Sequence, residues 1–292
     1  MRAKSLKIRV VKRLSLFVLI VSGFALGNLC LSQQFAGVEI KATSVAGKVH
    51  YLEGAGGNIG VSVGSDGILI VDSQFAPLAS KIEGALAKLG KGELKYLLNT
   101  HWHGDHTGGN GHFGKRASIV AHQNVRSRMR SKKGEPQALP SFTFDERMSV
   151  YFNGEEIRLI HLGPGHTDGD AIIYFVDSNV AHAGDQFFNG RFPYIDLSSG
   201  GDVRGYLSNI DQVLEMLPDD VKIIPGHGAL ADKRDLESFR DMLSTSIRIV
   251  ETAIKEGKPM GEISMPSKYE SWGQAFINTP RWIQILYNGL SQ

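Results

Sequence analysis

Short apolar runs rich in Val and Ile alternate with glycine-containing turns along most of the chain. Their length and β-branched content predict strands at Val45–Tyr51, Ile59–Val63, Ile68–Val71, Tyr96–Asn99, Ser118–Ala121, Ile157–His161, Ala171–Val176, Val180–Ala183 and Val221–Ile224. The turn Gly64-Ser65-Asp66-Gly67 joins the second and third of these as a hairpin. Helical spacing takes over at Pro77–Leu89, where Leu78, Ile82, Leu86 and Leu89 share one face before Gly90. A second helix is expected from Val203 to Leu217, capped by Asp202 and closed by Pro218. A third follows from Leu236, Phe239, Leu243, Ile247, Val250 and Ile254, ending at Gly257-Lys258-Pro259. The basic, polar stretch from Arg126 to Pro140 reads as an exposed loop or flap. No internal repeat is visible. Strand-then-helix order in each half predicts a mixed α/β (α+β) fold, two sheets face to face with helices outside.

Composition narrows this picture. The chain has 292 residues, 42% of them apolar and 21% charged, which is globular and excludes disorder or a fibrous repeat. A single cysteine, Cys30, excludes a disulfide framework and a Cys-rich zinc module. The formal charge of +2 depends on Arg2, Lys4, Lys7, Arg9, Lys12 and Arg13; without them the chain is acidic, so no basic surface suggests nucleic acid. Those cations precede an apolar run from Leu14 to Leu31, the layout of a secretory signal peptide. Residues 1–32 are therefore expected to be a leader, cleaved before Asn28 or Gln33, and residues 33–292 a domain working in the periplasm or secreted. A retained membrane anchor is the alternative, because the run approaches the roughly 20 residues that span a bilayer.

Chemistry is concentrated in the histidines. Three of the ten fall in Thr100-His101-Trp102-His103-Gly104-Asp105-His106, directly after the apolar run Tyr96-Leu97-Leu98. In extended chain, residues i and i+2 point the same way, so His101 and His103 can serve one ion. Gly104 allows a turn that lets Asp105 and His106 face a second point. Burying four polar groups as packing alone would cost several kcal/mol for each one left unpaired, on the order of 2–7. Three further loops each offer one ligand beside glycine: His166 in Gly163-Pro164-Gly165-His166-Thr167, Asp185 in Ala183-Gly184-Asp185, and His227 in Pro225-Gly226-His227-Gly228. Imidazole and carboxylate suit Zn²⁺, and the aspartates extend the choice to Fe or Mn.

The motifs HWHGDH, GHT, AGD and PGHG, in that order, resemble the metallo-β-lactamase-fold hydrolase superfamily. The resemblance implies an αββα four-layer sandwich with a dinuclear site at one edge of the two sheets. It also implies two Zn²⁺ ions, with His101, His103 and His166 on the first, Asp105, His106 and His227 on the second, and Asp185 bridging them. Two cations about 3.5–4 Å apart bring hydroxide into the neutral range, and Asp105 is expected to orient it as the catalytic carboxylate. Asp185 resembles the glyoxalase II-like, lactonase, cyclase-like and sulfur-oxidation-associated branches; dizinc β-lactamases carry Cys or Ser there. Phe188 stands where one such class has a substrate-binding lysine, and Gly104 stands where the oxygen-reducing diiron branch has Glu. The expected activity is exported hydrolysis of a lactam, lactone, thioester or ester. The alternatives are a periplasmic β-lactamase and a non-catalytic metal-binding protein. The expected partner is a small-molecule substrate, with no nucleic acid, no membrane after leader cleavage, and the oligomeric state left open.

Other residues receive plainer readings. His50, His112, His122, His161 and His182 lie outside the motifs and read as surface or hydrogen-bonded groups, with His161 and His182 placed to support nearby ligands. Asp72 reads equally as a turn cap or as such a support. Trp102 reads as packing rather than substrate contact. Phe187, Phe188, Phe192 and Tyr194 divide between sheet packing and a cleft wall, and Lys132 and Lys133 read as solvated.

Overall fold

The computed structural model describes residues 34–132 and 135–291. The expected leader, Cys30 and Lys133 lie outside the described residues. Ile40–Gln292 form one compact unit. Seven strands build the first sheet in sequence order: β1 (Lys41–Ala46), β2 (Val49–Glu53), β3 (Ile59–Gly64), β4 (Gly67–Val71), β5 (Leu94–Leu98), β6 (Ser118–His122) and β7 (Phe142–Phe144). The second runs β13-β12-β11-β10-β9-β8, from β8 (Arg147–Phe152), β9 (Glu155–Ile160), β10 (Ile172–Phe175), β11 (Val180–Phe188), β12 (Lys222–His227) and β13 (Ala231–Asp232). The helices are α1 (Ala79–Leu89), the short α2 (Gly104–Thr107) and α3 (Asn110–Phe113), α4 (Gln123–Ser131), α5 (Val203–Met216), α6 (Lys233–Lys255) and α7 (Thr279–Leu290). Among the described residues, no helix is long and apolar enough to cross a membrane.

Period-two alternation explains the layering. Along β10, Ile173 and Phe175 face the first sheet, meeting Leu69, Val71, Leu98 and Val120. Their neighbours Ile172 and Tyr174 face outward into a cluster with Tyr206 and Ile210 of α5, Phe239 and Leu243 of α6, and Trp282 of α7. Each such side chain contributes about 1.5–3 kcal/mol on full burial. Helix α1 closes the opposite side by burying Ile82, Ala85 and Leu86. The result is helix, sheet, sheet, helix, as the sequence pattern and the resemblance led one to expect.

Several local expectations need correction. The run Val45–Tyr51 is not one strand: Gly47, at φ 53°, turns it into the β1–β2 hairpin. Arg126–Pro140 is not simply a flap, because its first part belongs to α4, whose only fully buried residue is Val125. A helix with so little apolar face leaves no periodic signal. Strand β8 went unread although Asn153-Gly154 marks its hairpin with β9; the two residues sit at φ 54° and 80°, as a type I′ turn requires. Helix α7 was also missed. The Asn153 turn is bonded reciprocally to the β3–β4 turn, Asp66 N to Asn153 Oδ1 at 3.0 Å and Asn153 N to Asp66 Oδ2 at 2.6 Å, which ties the two sheets together.

Candidate metal centre

All seven ligand candidates come together at one edge of the sandwich. They form two foci: His101, His103, His166 and Asp185 in one, Asp105, His106 and His227 in the other. His101 and His103 follow the end of β5, and His103 begins the turn into α2, which carries Asp105 and His106. His166 lies between β9 and β10, and His227 is the last residue of β12. Asp185 differs from its expected loop position. Strand β11 continues through it to Phe188, after a register break at Gly184. Gly184 adopts φ 50°, and a side chain there would strike Thr100.

The Asp185 carboxylate faces both foci. Its Oδ2 lies 3.7 Å from His101 Nε2 and 3.4 Å from His166 Nε2. Its Oδ1 lies 3.0 Å from His106 Nε2 and 3.4 Å from His227 Nε2. Asp105 Oδ2 reaches His227 Nε2 at 3.4 Å.

The opposite nitrogens of these rings are fixed by the protein. His106 Nδ1 donates to Asp72 Oδ2 at 2.7 Å, and Thr100 Oγ1 donates to the same oxygen at 2.7 Å. Thr100 Oγ1 can thus accept from His101 Nδ1 at 3.1 Å. His103 Nε2 donates to Asp196 Oδ2 at 2.9 Å, and His166 Nδ1 donates to the Tyr194 carbonyl at 2.6 Å. Each bond selects the tautomer that turns a bare nitrogen inward. His166 Nε2 and His103 Nδ1 then face each other at 2.8 Å with a lone pair each, an arrangement that calls for a cation between them. His101 Nε2, His106 Nε2 and Asp185 Oδ1 are buried without hydrogen-bond partners. Orphaned polar atoms of this kind are rare in folded proteins. The donor set therefore fits divalent metal ions.

Burial and neighbouring charges pull these groups in opposite directions. Burial, then neighbouring imidazoles, holds His101 well below the usual histidine range, and burial brings His166 down to about 4. Burial would raise the Asp185 carboxyl, yet His106, His227, His101 and His166 hold it well below the ordinary value. Burial works against protonation of His227 too, but Asp185 and Asp105 raise it to about 9.

A glycine-rich loop, residues 54–58, lies against this cluster. Gly57 N donates to the Asp105 carbonyl at 3.1 Å, and a side chain at Gly57 would run into the His106 ring. Asn58 Nδ2 bonds the carbonyls of Pro225 and Gly228, each at 2.9 Å, and so fixes the turn carrying His227. His182 Nε2 in turn donates to the Asn58 carbonyl at 3.0 Å, so its support of the site is indirect.

The sequence model of the metallo-beta-lactamase superfamily matches residues 53–227, more than half of the chain. The chain belongs to that superfamily. Among curated proteins it is 24% identical over 210 residues to a 2,4-dinitroanisole O-demethylase subunit alpha from Nocardioides sp., covering 70% of this chain and 63% of that one. It is 31% identical over 147 residues to a hydroxyacylglutathione hydrolase from Nitrosococcus oceani, covering 49% and 52%. The matches thus span between about half and just under two thirds of these relatives' own lengths. A solved metallo-beta-lactamase from Pontibacter korlensis shares the fold, with a TM-score of 0.63 at 16% identity over 70% of this chain and 99% of that one.

The remaining histidines and aromatics divide by contact. His112 Nε2 pairs with Glu83 at 3.1 Å. Phe187, Phe188 and Phe192 are buried, Phe188 stacked on His227 with ring centroids 5.1 Å apart, whereas Tyr194 is half-buried beside His103 and His166. Trp102 is half-buried, its ring beside His103 and lining a cleft, with the Lys132 ammonium 4.0 Å over it. Asp196 and the glycine-rich loop were not anticipated; the cluster Gly54-Ala55-Gly56-Gly57 was the only visible signal, and Asp196 left none.

His122 and His161 stack with centroids 4.0 Å apart. Burial, then His161, lowers His122 to about 4, against the opposing pull of Asp145 and Asp168. Because the unfolded chain takes up this proton first, near pH 6.5, stability should fall as pH drops from there towards 4. His122 Nδ1 also accepts from Asn124 N to cap α4, a role Asn can keep. His122→Asn is therefore expected to lose less stability between pH 7 and 5 than the wild type, measured by urea unfolding at both pH values.

Proposed function

We propose that this chain is an exported, dinuclear zinc hydrolase acting on the carbonyl of a lactam, lactone, thioester or ester. The observation that carries the reading is the Asp185 carboxylate, with one oxygen towards each group of inward-facing imidazoles. A pair of divalent ions, when bound, supplies Lewis acidity and makes water nucleophilic near neutral pH. The chain supplies the rest. His101, His103 and His166 would hold one ion and Asp105, His106 and His227 the other, with Asp185 shared. Asp105 keeps about a quarter of its side chain exposed (26%), unlike Asp185 at 5%, so its carboxylate meets entering water and orients it or accepts its proton. Phe188 and Tyr194 exclude solvent on one flank. Imidazole and carboxylate donors suit zinc, and the aspartates keep iron or manganese open as well. Export rests on the basic and apolar N-terminal sequence.

Asp185 and the stacked Phe188 disfavour β-lactams relative to lactones, thioesters and esters, because neither a thiolate nor a lysine stands where dizinc β-lactamases have them. A panel of nitrocefin, a lactone, a thioester and a bis-phosphodiester tests the substrate class. Full chelation should abolish activity on the responding substrate, and returning Zn²⁺ should restore it, with about two ions per chain by elemental analysis. Activity surviving complete metal removal would end this reading.

A further inference from the structure

A cleft of about 310 Å³ adjoins the first group of ligands, and its lining includes Trp102, Arg128, Lys132, Tyr194, Asp196 and Ser199. That volume suits a small ligand segment. The cleft is coupled to the metal centre on two sides. Trp102 stands between His101 and His103 in the chain, and Asp196 holds His103 Nε2 at 2.9 Å. The Tyr194 ring lies 6.1 Å from both the His103 and the His166 ring.

Its charges are mostly spoken for. Arg128 is bound to both oxygens of Asp168, at 2.6 and 2.7 Å. Asp196 gives Oδ2 to His103, and its Oδ1 accepts from Ser198 Oγ at 2.6 Å and Ser199 N at 3.2 Å. Lys132 is the exception: among the described residues no carboxylate lies within ion-pair distance of it. Its ammonium rests on the Trp102 ring at 4.0 Å, which positions it over the cleft while leaving N–H donors unused. Lysine stems commonly lie along apolar surface with the charge held outward, and here the surface is the residue between two ligands.

We propose that this cleft seats a carboxylate carried by the acyl substrate, held by Lys132, with Trp102 and Tyr194 walling the short apolar linker to the reacting carbonyl. The inference rests on the hydrolase reading above and narrows its substrates to carboxylate-bearing ones. A single ammonium unpaired with any carboxylate, in a cleft that also holds the Asp196 carboxylate, matches a singly charged carboxylate better than a doubly charged phosphate.

The test compares p-nitrophenyl acetate with mono-p-nitrophenyl glutarate on the metal-loaded full chain, for the wild type, Lys132→Met and Lys132→Arg. The preference for the glutarate ester in kcat/KM should fall about tenfold in Lys132→Met, mainly through KM, and be largely retained in Lys132→Arg. In the wild type it should shrink as salt rises. A preference unchanged in Lys132→Met overturns the proposal. If the wild type cleaves neither ester, these substrates give the hydrolase reading no support, and binding decides the cleft's role separately. Monomethyl glutarate, titrated by calorimetry, should then bind about tenfold more weakly to Lys132→Met; equal affinity overturns the assignment.

Discussion

Asp185→Asn is expected to remove at least one metal ion per chain and to slow hydrolysis by more than the ~10–100-fold that loss of a supporting residue costs. The amide is nearly isosteric, so the strand and its neighbours can remain in place. It offers only one carbonyl oxygen, however, and turns its N–H donors towards a space where a cation requires an oxygen lone pair. Oδ1 and Oδ2 face different foci, so whichever oxygen is kept, the other focus loses its carboxylate. Elemental analysis and initial rates on one substrate measure the effect, with circular dichroism as the check on folding. Two ions per chain and a wild-type rate in this variant would contradict the shared role of Asp185.

Asp72→Asn should lower metal affinity by about 10–100-fold without removing any ligand. Asp72 is fully buried at the end of β4, at φ 66°, a left-handed conformation that Asn tolerates well. The substitution thus leaves the backbone conformation accessible and changes the hydrogen bonding. The carboxylate accepts from Thr100 N at 2.8 Å, from Thr100 Oγ1 and from His106 Nδ1, and no amide orientation can accept all three. Both foci should weaken, since His106 is held directly and His101 through Thr100. Competition with a chromophoric chelator resolves the two binding steps. Thr100→Val, which spares His106, should weaken chiefly the step that involves His101.

These two aspartates show what could be read in advance. Asp185 stood out because glycine preceded it at the end of a strand, even though the strand proves to run on past a break in register. Asp72 was readable as a cap or as a support, and a chain alone does not say which side chains meet its carboxylate. Asp196 had no signal at all: it comes from a turn 93 residues beyond His103 and touches it only because both lie at one edge of the sandwich. Lys132 reads as solvated and is indeed exposed, but the aromatic ring beneath its ammonium could not be foreseen. A polar helix such as α4 carries no hydrophobic stripe, so neither its existence nor the direction of its last turn follows from periodicity.

Local chemistry in the sequence determined the strands that bury alternate residues, the two-sheet layering, and the identities of the five imidazoles and two carboxylates. Those features depend on contacts of short range or on residue type, which the order of residues records directly. Tertiary structure alone decided which nitrogen of each ring points inward, which carboxylate reaches two foci, and where an unpaired ammonium meets an aromatic face. These depend on hydrogen bonds between residues tens of positions apart, whose partners become neighbours only after the sheets have packed.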